Sequence, residues 1–113
     1  MSTPLPGTST EGLLAVITTV ATRDDALRLA HALVGQRLVA CAQLSAIESV
    51  YVWAGAVQQE PEYRLLFKTT TARYPALVAA LQTLHPYELP AIVAVPLEAS
   101  AAFADWVRAG TQA

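Results

Sequence analysis

The segment from His85 to Pro90 contains the side chains of this chain that are best suited to chemistry. It places an imidazole, a phenol and a carboxylate, those of His85, Tyr87 and Glu88, in four consecutive residues, and it contains two prolines, Pro86 and Pro90. Because Pro86 and Pro90 each disfavour helical geometry in the residue before them, a preceding helix must end by His85 and the next element must start extended. The polar side chains are therefore predicted to project from a stiff connector and to form a binding site. The alternative is a rigid turn whose polar groups satisfy only the backbone.

Two further residues are candidates for binding. Cys41 is the only cysteine, and a thiolate together with the imidazole of His85 would suit copper or zinc. No CxxC or HxxxH spacing connects the two, and the alanines beside Cys41 are equally consistent with a small buried apolar residue. Lys68 is the only lysine, and it could pair with Glu62, with Glu88 or with an anionic ligand, or extend to solvent.

The composition indicates a single domain with a partly covered surface. At 113 residues the chain has room for one core, and only 14% of its residues are charged, against about 25% in an average protein. This shortage of charge favours oligomerisation, although the 22 alanines raise the apolar content without making a surface adhesive.

Charge and motifs argue against several classes of function. The net charge is −2 and the basic residues are scattered, which disfavours nucleic-acid binding. No glycine-rich phosphate loop and no nucleophile elbow are present, so an enzyme is not expected. The single cysteine, the lack of a secretory leader and the lack of a long apolar run predict a cytoplasmic protein that does not enter membranes.

Caps and breakers delimit the predicted elements. Residues 1–12 are predicted to be a disordered lead-in, and residues 13–113 are predicted to form the domain. Phe103, Trp106 and Val107 are expected to share the apolar face of the last helix. The elements in chain order are a strand over 13–19, a helix capped by Thr22 and ended by Gly35, strands over 39–53 and 62–70, a helix with Pro75 in its first turn that stops before Pro86, a strand over 91–95, and a helix from Ser100 to Gly110.

This order predicts the α+β class, with a ferredoxin-like βαββαβ sandwich, a long central hairpin and a C-terminal helix. The hairpin strands, of about 15 and 9 residues, exceed the usual 5–6 residues and carry apolar groups on both faces. A neighbouring copy of the chain is therefore expected to cover them. Trp53 and Tyr51 share one strand face, where they serve as packing, as a wall for ligand stacking or as a subunit contact. Pro61 predicts that the hairpin tip lies at a sheet edge or a bulge.

The motif residues together resemble the CutA divalent-cation tolerance proteins over about residues 13–109. The resemblance is carried by Ala40-Cys41-Ala42, Tyr51-Val52-Trp53-Ala54-Gly55, Glu62, Lys68-Thr69 and the segment from His85 to Pro90. It implies a ferredoxin-like homotrimer, similar to the P-II signalling proteins, in which long hairpins wrap neighbouring subunits. It also implies a role in tolerance to copper and other divalent cations, without enzymatic activity.

The resemblance further implies a ligand cleft between subunits. The expected cleft residues are Trp53, Glu62, Lys68, His85, Tyr87 and Glu88, and the expected ligands of Cu(II) or another divalent metal are His85 and Cys41. Thr18 and Leu84 stand where some members have a thiol and a second histidine, which removes two possible copper ligands. The alternative function is a P-II-like signalling or anchoring trimer that recognises an anionic metabolite or a protein partner.

Overall fold

A computed structural model of the chain describes residues 8–9 and 12–112. The predicted lead-in over residues 1–12 therefore lies mostly outside the described residues and stays a prediction. Within it, Thr8 and Ser9 pair antiparallel with Ser100 and Ala99. The elements are β1 (Thr8–Ser9), β2 (Leu13–Val20), α1 (Arg23–Gly35), β3 (Cys41–Trp53), β4 (Ala56–Thr70), α2 (Tyr74–Leu84), β5 (Val93–Pro96), β6 (Ala99–Ser100) and α3 (Ala101–Gly110).

The main sheet has the strand order β3-β4-β2-β5, and every neighbouring pair is antiparallel. This arrangement confirms the α+β class and the ferredoxin-like order. Side chains alternate across the sheet, so Val16 and Val20 of β2 and Leu65 and Phe67 of β4 all point to the face that α1 and α2 cover. Leu13 points to the opposite face, and α3 covers it there. Because both faces of β2 are covered, its sequence is a nearly continuous apolar run.

Local signals account for the helices. The Thr22 hydroxyl accepts from the Asp25 N–H (3.1 Å) and the Ser100 hydroxyl accepts from the Phe103 N–H (3.2 Å), which confirms both predicted caps. Pro75 lies in the first turn of α2, as predicted. In the part of the chain that the structure describes, no helix combines the length and the apolar content needed to cross a membrane.

The predicted start of the second hairpin strand was wrong. The strand β4 begins at Ala56 rather than at residue 62, because the chain reverses in a two-residue turn in which Ala54 and Gly55 both have positive φ (53° and 79°). Pro61 lies inside β4 opposite Glu48, without interrupting the register. Since paired residues alternate from a hydrogen-bonded pair at the turn, the Pro61 nitrogen faces away from β3. The strand β2 ends opposite Tyr63, so this side of β4 is an unpaired edge, as the proline requires.

The bounds of the last strand of the main sheet and the buried face of the last helix also differ from the predictions. The strand β5 spans Val93–Pro96 instead of residues 91–95, and Pro96 pairs with Leu14 at the edge of the sheet. In α3 the buried face contains Ala104 and Val107, while Phe103 and Trp106 stack on each other with ring centroids 5.5 Å apart and remain exposed. The predicted apolar face was thus rotated, because the small Ala104 is the residue that approaches the sheet.

Candidate functional site

His85 connects the segment after α2 to the end of β2. It is the C-cap residue of α2 with an extended backbone (φ −69°, ψ 135°), as expected from the following proline. The residue is 8% exposed, and its Nε2 lies 3.0 Å from the Thr18 hydroxyl and 2.9 Å from the Thr19 carbonyl. Its Nδ1 accepts the Tyr87 N–H over 3.0 Å. The ring therefore holds the segment from His85 to Tyr87 against β2.

These contacts determine the protonation of the imidazole. The Tyr87 N–H can only donate, so Nδ1 carries no proton, and the proton lies on Nε2, which donates to the Thr19 carbonyl. Burial lowers the pKa of His85, although the bond to the Thr19 carbonyl partly opposes this effect. Both ring nitrogens are occupied, so a metal could bind His85 only by displacing one of these hydrogen bonds.

Tyr87 and Glu62 form the polar part of the site. The Tyr87 hydroxyl donates to Glu62 Oε2 over 2.7 Å, and the Tyr87 ring lies 5.0 Å from the His85 ring. Glu62 belongs to the part of β4 just beyond the end of β2, where the side chain of Tyr87 reaches it. Burial, followed by the bond to Glu62 and the charge of Glu62, raises the pKa of the Tyr87 phenol well above its usual value.

Two residues that were not predicted as cleft residues complete this group. Tyr51 and Glu60 lie on the same sheet face as Glu62, and burial together with the charges of Glu60 and Glu62 raises the pKa of Tyr51. We call these four residues, Tyr51, Glu60, Glu62 and Tyr87, the tyrosine–glutamate cluster. A turn at residues 54–55 pairs Tyr51 with Gln58 and so places Glu60 diagonally opposite Tyr51. Recognising that turn in the sequence would therefore have identified Glu60.

The other predicted cleft residues lie elsewhere in the chain. Lys68 is six residues from Glu62 along β4, about 20 Å by strand rise, and Trp53 is paired with Ala56, equally far in the other direction. Lys68 Nζ donates to Gln43 Oε1 over 2.7 Å and lies 5.9 Å from the Phe103 ring centroid. Glu88 is exposed. One chain therefore brings together Glu62, His85 and Tyr87 but leaves Trp53 and Lys68 apart, so a cleft containing all six needs a second subunit.

Cys41 and His85 are also separated within one chain. Cys41 pairs with Lys68 on the sheet face away from α1 and α2, whereas Thr18, which His85 contacts, points to the helix-covered face. One ion could not reach both side chains through the sheet. Among the residues that the structure describes, no three His, Cys, Asp or Glu side chains are grouped as metal ligands. Metal binding by Cys41 and His85 stays a prediction, and it requires ligands from more than one chain.

The sheet face opposite α1 and α2 is only partly covered. The helix α3 packs at the Leu13 end, while Val93 and Val95 of β5 remain 51% and 47% exposed. At the hairpin tip the exposed fractions of Val52 and Trp53 reach 68% and 67%. Large exposed apolar groups on a sheet face and on a projecting hairpin mark an interaction surface.

Comparison with known proteins places this architecture among close relatives. Residues 14–110 match the family model described as CutA1 divalent ion tolerance protein. The Divalent-cation tolerance protein CutA of Thermus thermophilus is 41% identical over 98 residues, which cover 85% of this chain and 95% of the relative. The solved structure of CutA from Synechococcus elongatus is similar with a TM-score of 0.90 and 38% identity, over 95% of this chain and 97% of that chain. A structure of the same relative complexed with a Bis-Tris molecule has a TM-score of 0.83 and 38% identity, over 88% and 94%.

Proposed function

Because this chain belongs to the CutA1 divalent ion tolerance protein family, we propose that it works as a homotrimer that binds a divalent metal ion or a small polar ligand at clefts between subunits. The proposal includes a binding role without catalysis and a cytoplasmic location. It is carried by one observation: the Tyr87–Glu62 hydrogen bond lies where β4 has an unpaired edge, beside apolar surface that one chain leaves exposed.

A neighbouring subunit would complete the cleft. The unpaired edge of β4 and the exposed residues of β5 both favour contact with another copy. In the proposed trimer, the hairpin tip with Trp53 reaches the tyrosine–glutamate cluster of the next subunit. Trp53 and Glu62, which lie about 20 Å apart along one hairpin, then meet across an interface.

The donor atoms of the cluster indicate what it can bind. Its two carboxylates and two phenols offer oxygen atoms, which suit a divalent cation or a ligand with hydroxyl and amino groups. The complex of the Synechococcus elongatus relative with Bis-Tris supports the second class. Binding of Cu(II) by His85 would require the ring to release the Tyr87 N–H.

The oligomeric state tests the first part of the proposal. Light scattering after size exclusion should give the mass of a trimer for the unmodified chain. Val95→Glu should shift the mass towards the monomer, because it places a charge on the exposed sheet face. Val34→Glu is the matched control, since Val34 is a similarly exposed valine (41%) on α1, outside that face. A monomeric unmodified chain would exclude the shared cleft.

Calorimetric titration tests the second part. Cu(II), Zn(II) and Mn(II) would be added to the unmodified chain, to Glu62→Gln and to His85→Gln. Glu62→Gln should abolish specific binding, whereas Glu48→Gln, which removes a glutamate from the other face of the same hairpin, should not. Equal binding by the Glu62 and Glu48 variants would reject the metal site, and a parallel titration with Bis-Tris separates a small-ligand cleft from a metal site.

The P-II-like alternative, recognition of an anionic metabolite, depends on Lys68, whose ammonium donates to the Gln43 side-chain oxygen, a neutral partner that does not offset its charge.

A further inference from the structure

A cavity lies between the start of α1 and the strands β3 and β4. Its volume is about 340 Å³, which is within the range of small-molecule sites. Its lining consists of Arg23, Leu27, Leu44, Ser45, Ala46 and Tyr63. All six residues lie well inside the described range 12–112. The cavity therefore combines one guanidinium and one phenol with aliphatic side chains.

The floor of the cavity is apolar. Leu44 and Tyr63 are half-buried and pack against the core on the sheet face that α1 and α2 cover, while Leu27 and Ala46 add aliphatic surface. Side chains alternate along β4, so Glu62, the neighbour of Tyr63, points to the opposite face, where it belongs to the tyrosine–glutamate cluster. The cavity is therefore separate from the proposed cleft between subunits.

Two polar side chains at this cavity have no partner within the described part of the chain. The Arg23 guanidinium makes no hydrogen bond and no ion pair there, and the Tyr63 hydroxyl makes no hydrogen bond. A tyrosine hydroxyl that is partly removed from water usually has a hydrogen-bond partner. Both groups are therefore available to donate hydrogen bonds to a molecule in the cavity.

The edge of β3 adds backbone donors. The strand β3 is the outermost strand of the main sheet and pairs only with β4 among the described residues. Counted from the hydrogen-bonded pair at the hairpin turn, Leu44 and Ala46 occupy non-hydrogen-bonded pairs, opposite Leu65 and Tyr63. Their N–H groups therefore face away from β4 and remain available beside the cavity that both residues line.

The nearby carboxylates do not pair with Arg23. Asp25 forms an ion pair with Arg28 over 3.3 Å. Asp24 is exposed and lies about 100° round the helix from Arg23. Glu48 is exposed farther along β3 and is not part of the cavity lining. One unpaired guanidinium beside an apolar floor suits an anionic head group attached to an apolar body.

We propose that this cavity binds a small carboxylic acid with an apolar body. The carboxylate accepts hydrogen bonds from the Arg23 guanidinium and from the backbone N–H of Ala46. The apolar body lies against Leu27, Leu44 and the Tyr63 ring. A carboxylate matches the single cation of this site, and the volume near the lower end of ligand pockets limits the acid to a compact one.

The branched acid 4-methylpentanoate and its primary amide are the probes that test this site, because they have the same shape and differ in charge. Each would be titrated at constant pH and ionic strength into the isotope-labelled full chain and followed by amide chemical shifts. We expect saturable shifts at Leu27, at residues 44–46 and at Tyr63 with the acid, and an affinity about tenfold or more lower for the amide.

Arg23→Gln should lower the affinity for the acid about tenfold or more and leave that for the amide unchanged. Arg64→Gln is the matched control, because Arg64 is an exposed arginine that follows Tyr63 on β4 and points to the opposite sheet face. It should leave the affinity for the acid within about twofold, since solvent and salt screen a charge on that face.

Ala46→Leu is the second variant, and it tests the location of the site independently of charge. The larger side chain occupies the cavity and should abolish binding of both probes. Shifts that never saturate, equal affinities for the acid and the amide, equal losses in the Arg23 and Arg64 variants, or unchanged binding by Ala46→Leu would each overturn the proposal.

Discussion

Tyr87 donates a hydrogen bond to Glu62 over 2.7 Å, although the two residues are 25 positions apart. This bond fastens the segment after α2 to the outer half of β4, where β2 no longer reaches. His85 fastens the same segment to β2 itself. The segment is therefore held from two strands, and each attachment can be removed separately.

Tyr87→Phe should lower the free energy of unfolding by about 1 kcal/mol, because it removes a hydrogen bond to a charged group at a half-buried position. Urea unfolding at a fixed protein concentration measures the change. Tyr74→Phe is the control, since its hydroxyl makes no hydrogen bond in the described part of the chain.

In Glu62→Gln, Tyr87 should ionise at lower pH than in the unmodified chain, because the charge that raises its pKa is gone. An unchanged absorbance titration would contradict this.

His85 should make the fold sensitive to mild acid. Burial places its folded-state pKa below the usual 6.5, so the unfolded chain binds more protons in this range. The contribution of neutral His85 to the free energy of unfolding is complete above about pH 6.5 and decreases as the pH falls through the folded-state pKa. Protonation also puts a hydrogen on Nδ1, where it faces the Tyr87 N–H.

The measurement is urea unfolding at several pH values between neutrality and mild acid. The His85→Gln variant should be less stable than the unmodified chain at neutral pH, because it lacks the buried hydrogen bonds of the imidazole. On acidification it should lose less stability than the unmodified chain does. His31→Gln, at an exposed position on α1, controls for the loss of an imidazole. Parallel pH profiles for the unmodified chain and His85→Gln would contradict the expected linkage.

The two glycines at helix ends should respond oppositely to alanine. A Cβ on Gly110 would lie 3.2 Å from the Ala40 Cβ and 3.4 Å from its Cα, so Gly110→Ala should cost about 1 kcal/mol of stability. A Cβ on Gly35 would meet nothing within 4 Å, so Gly35→Ala should gain about 0.5 kcal/mol. Chemical denaturation of both variants checks the signs, and a gain at Gly110 would show that α3 can move away from Ala40.

Ala54→Asn should stabilise the hairpin turn by about 0.5 kcal/mol, because asparagine tolerates the positive φ of 53° better than alanine does. Gly55→Ala should destabilise it by about 1 kcal/mol, since Gly55 has φ of 79° and alanine is strained there. Thermal unfolding of the two variants at equal concentration tests the turn type. Destabilisation by asparagine would mean that the turn differs from type I′ in solution.

The helices and their boundaries could be predicted from the sequence because their signals are local. Thr22, Pro75 and Ser100 each act within one turn of their own position, and Pro86 ends α2 through the residue beside it. The hairpin was harder to predict from the sequence, because Ala54-Gly55 is a weaker turn signal than Asn-Gly. The polar residues that end at Pro61 also resemble a loop. Only the end of β2 opposite Tyr63 shows that a proline can occupy β4 at that point.

The sequence by itself determined which residues stand in the segment from His85 to Pro90 and that this segment leaves the helix stiff and extended. Tertiary structure decided what those residues do. His85 is engaged by Thr18 and Thr19, 67 and 66 positions earlier, and Tyr87 by Glu62. Arg23 and Tyr63 likewise line one cavity only because α1 packs on β3 and β4. The reason is physical: caps and prolines act through neighbouring backbone, whereas protonation and charge clustering depend on which distant side chains the strand order brings into contact.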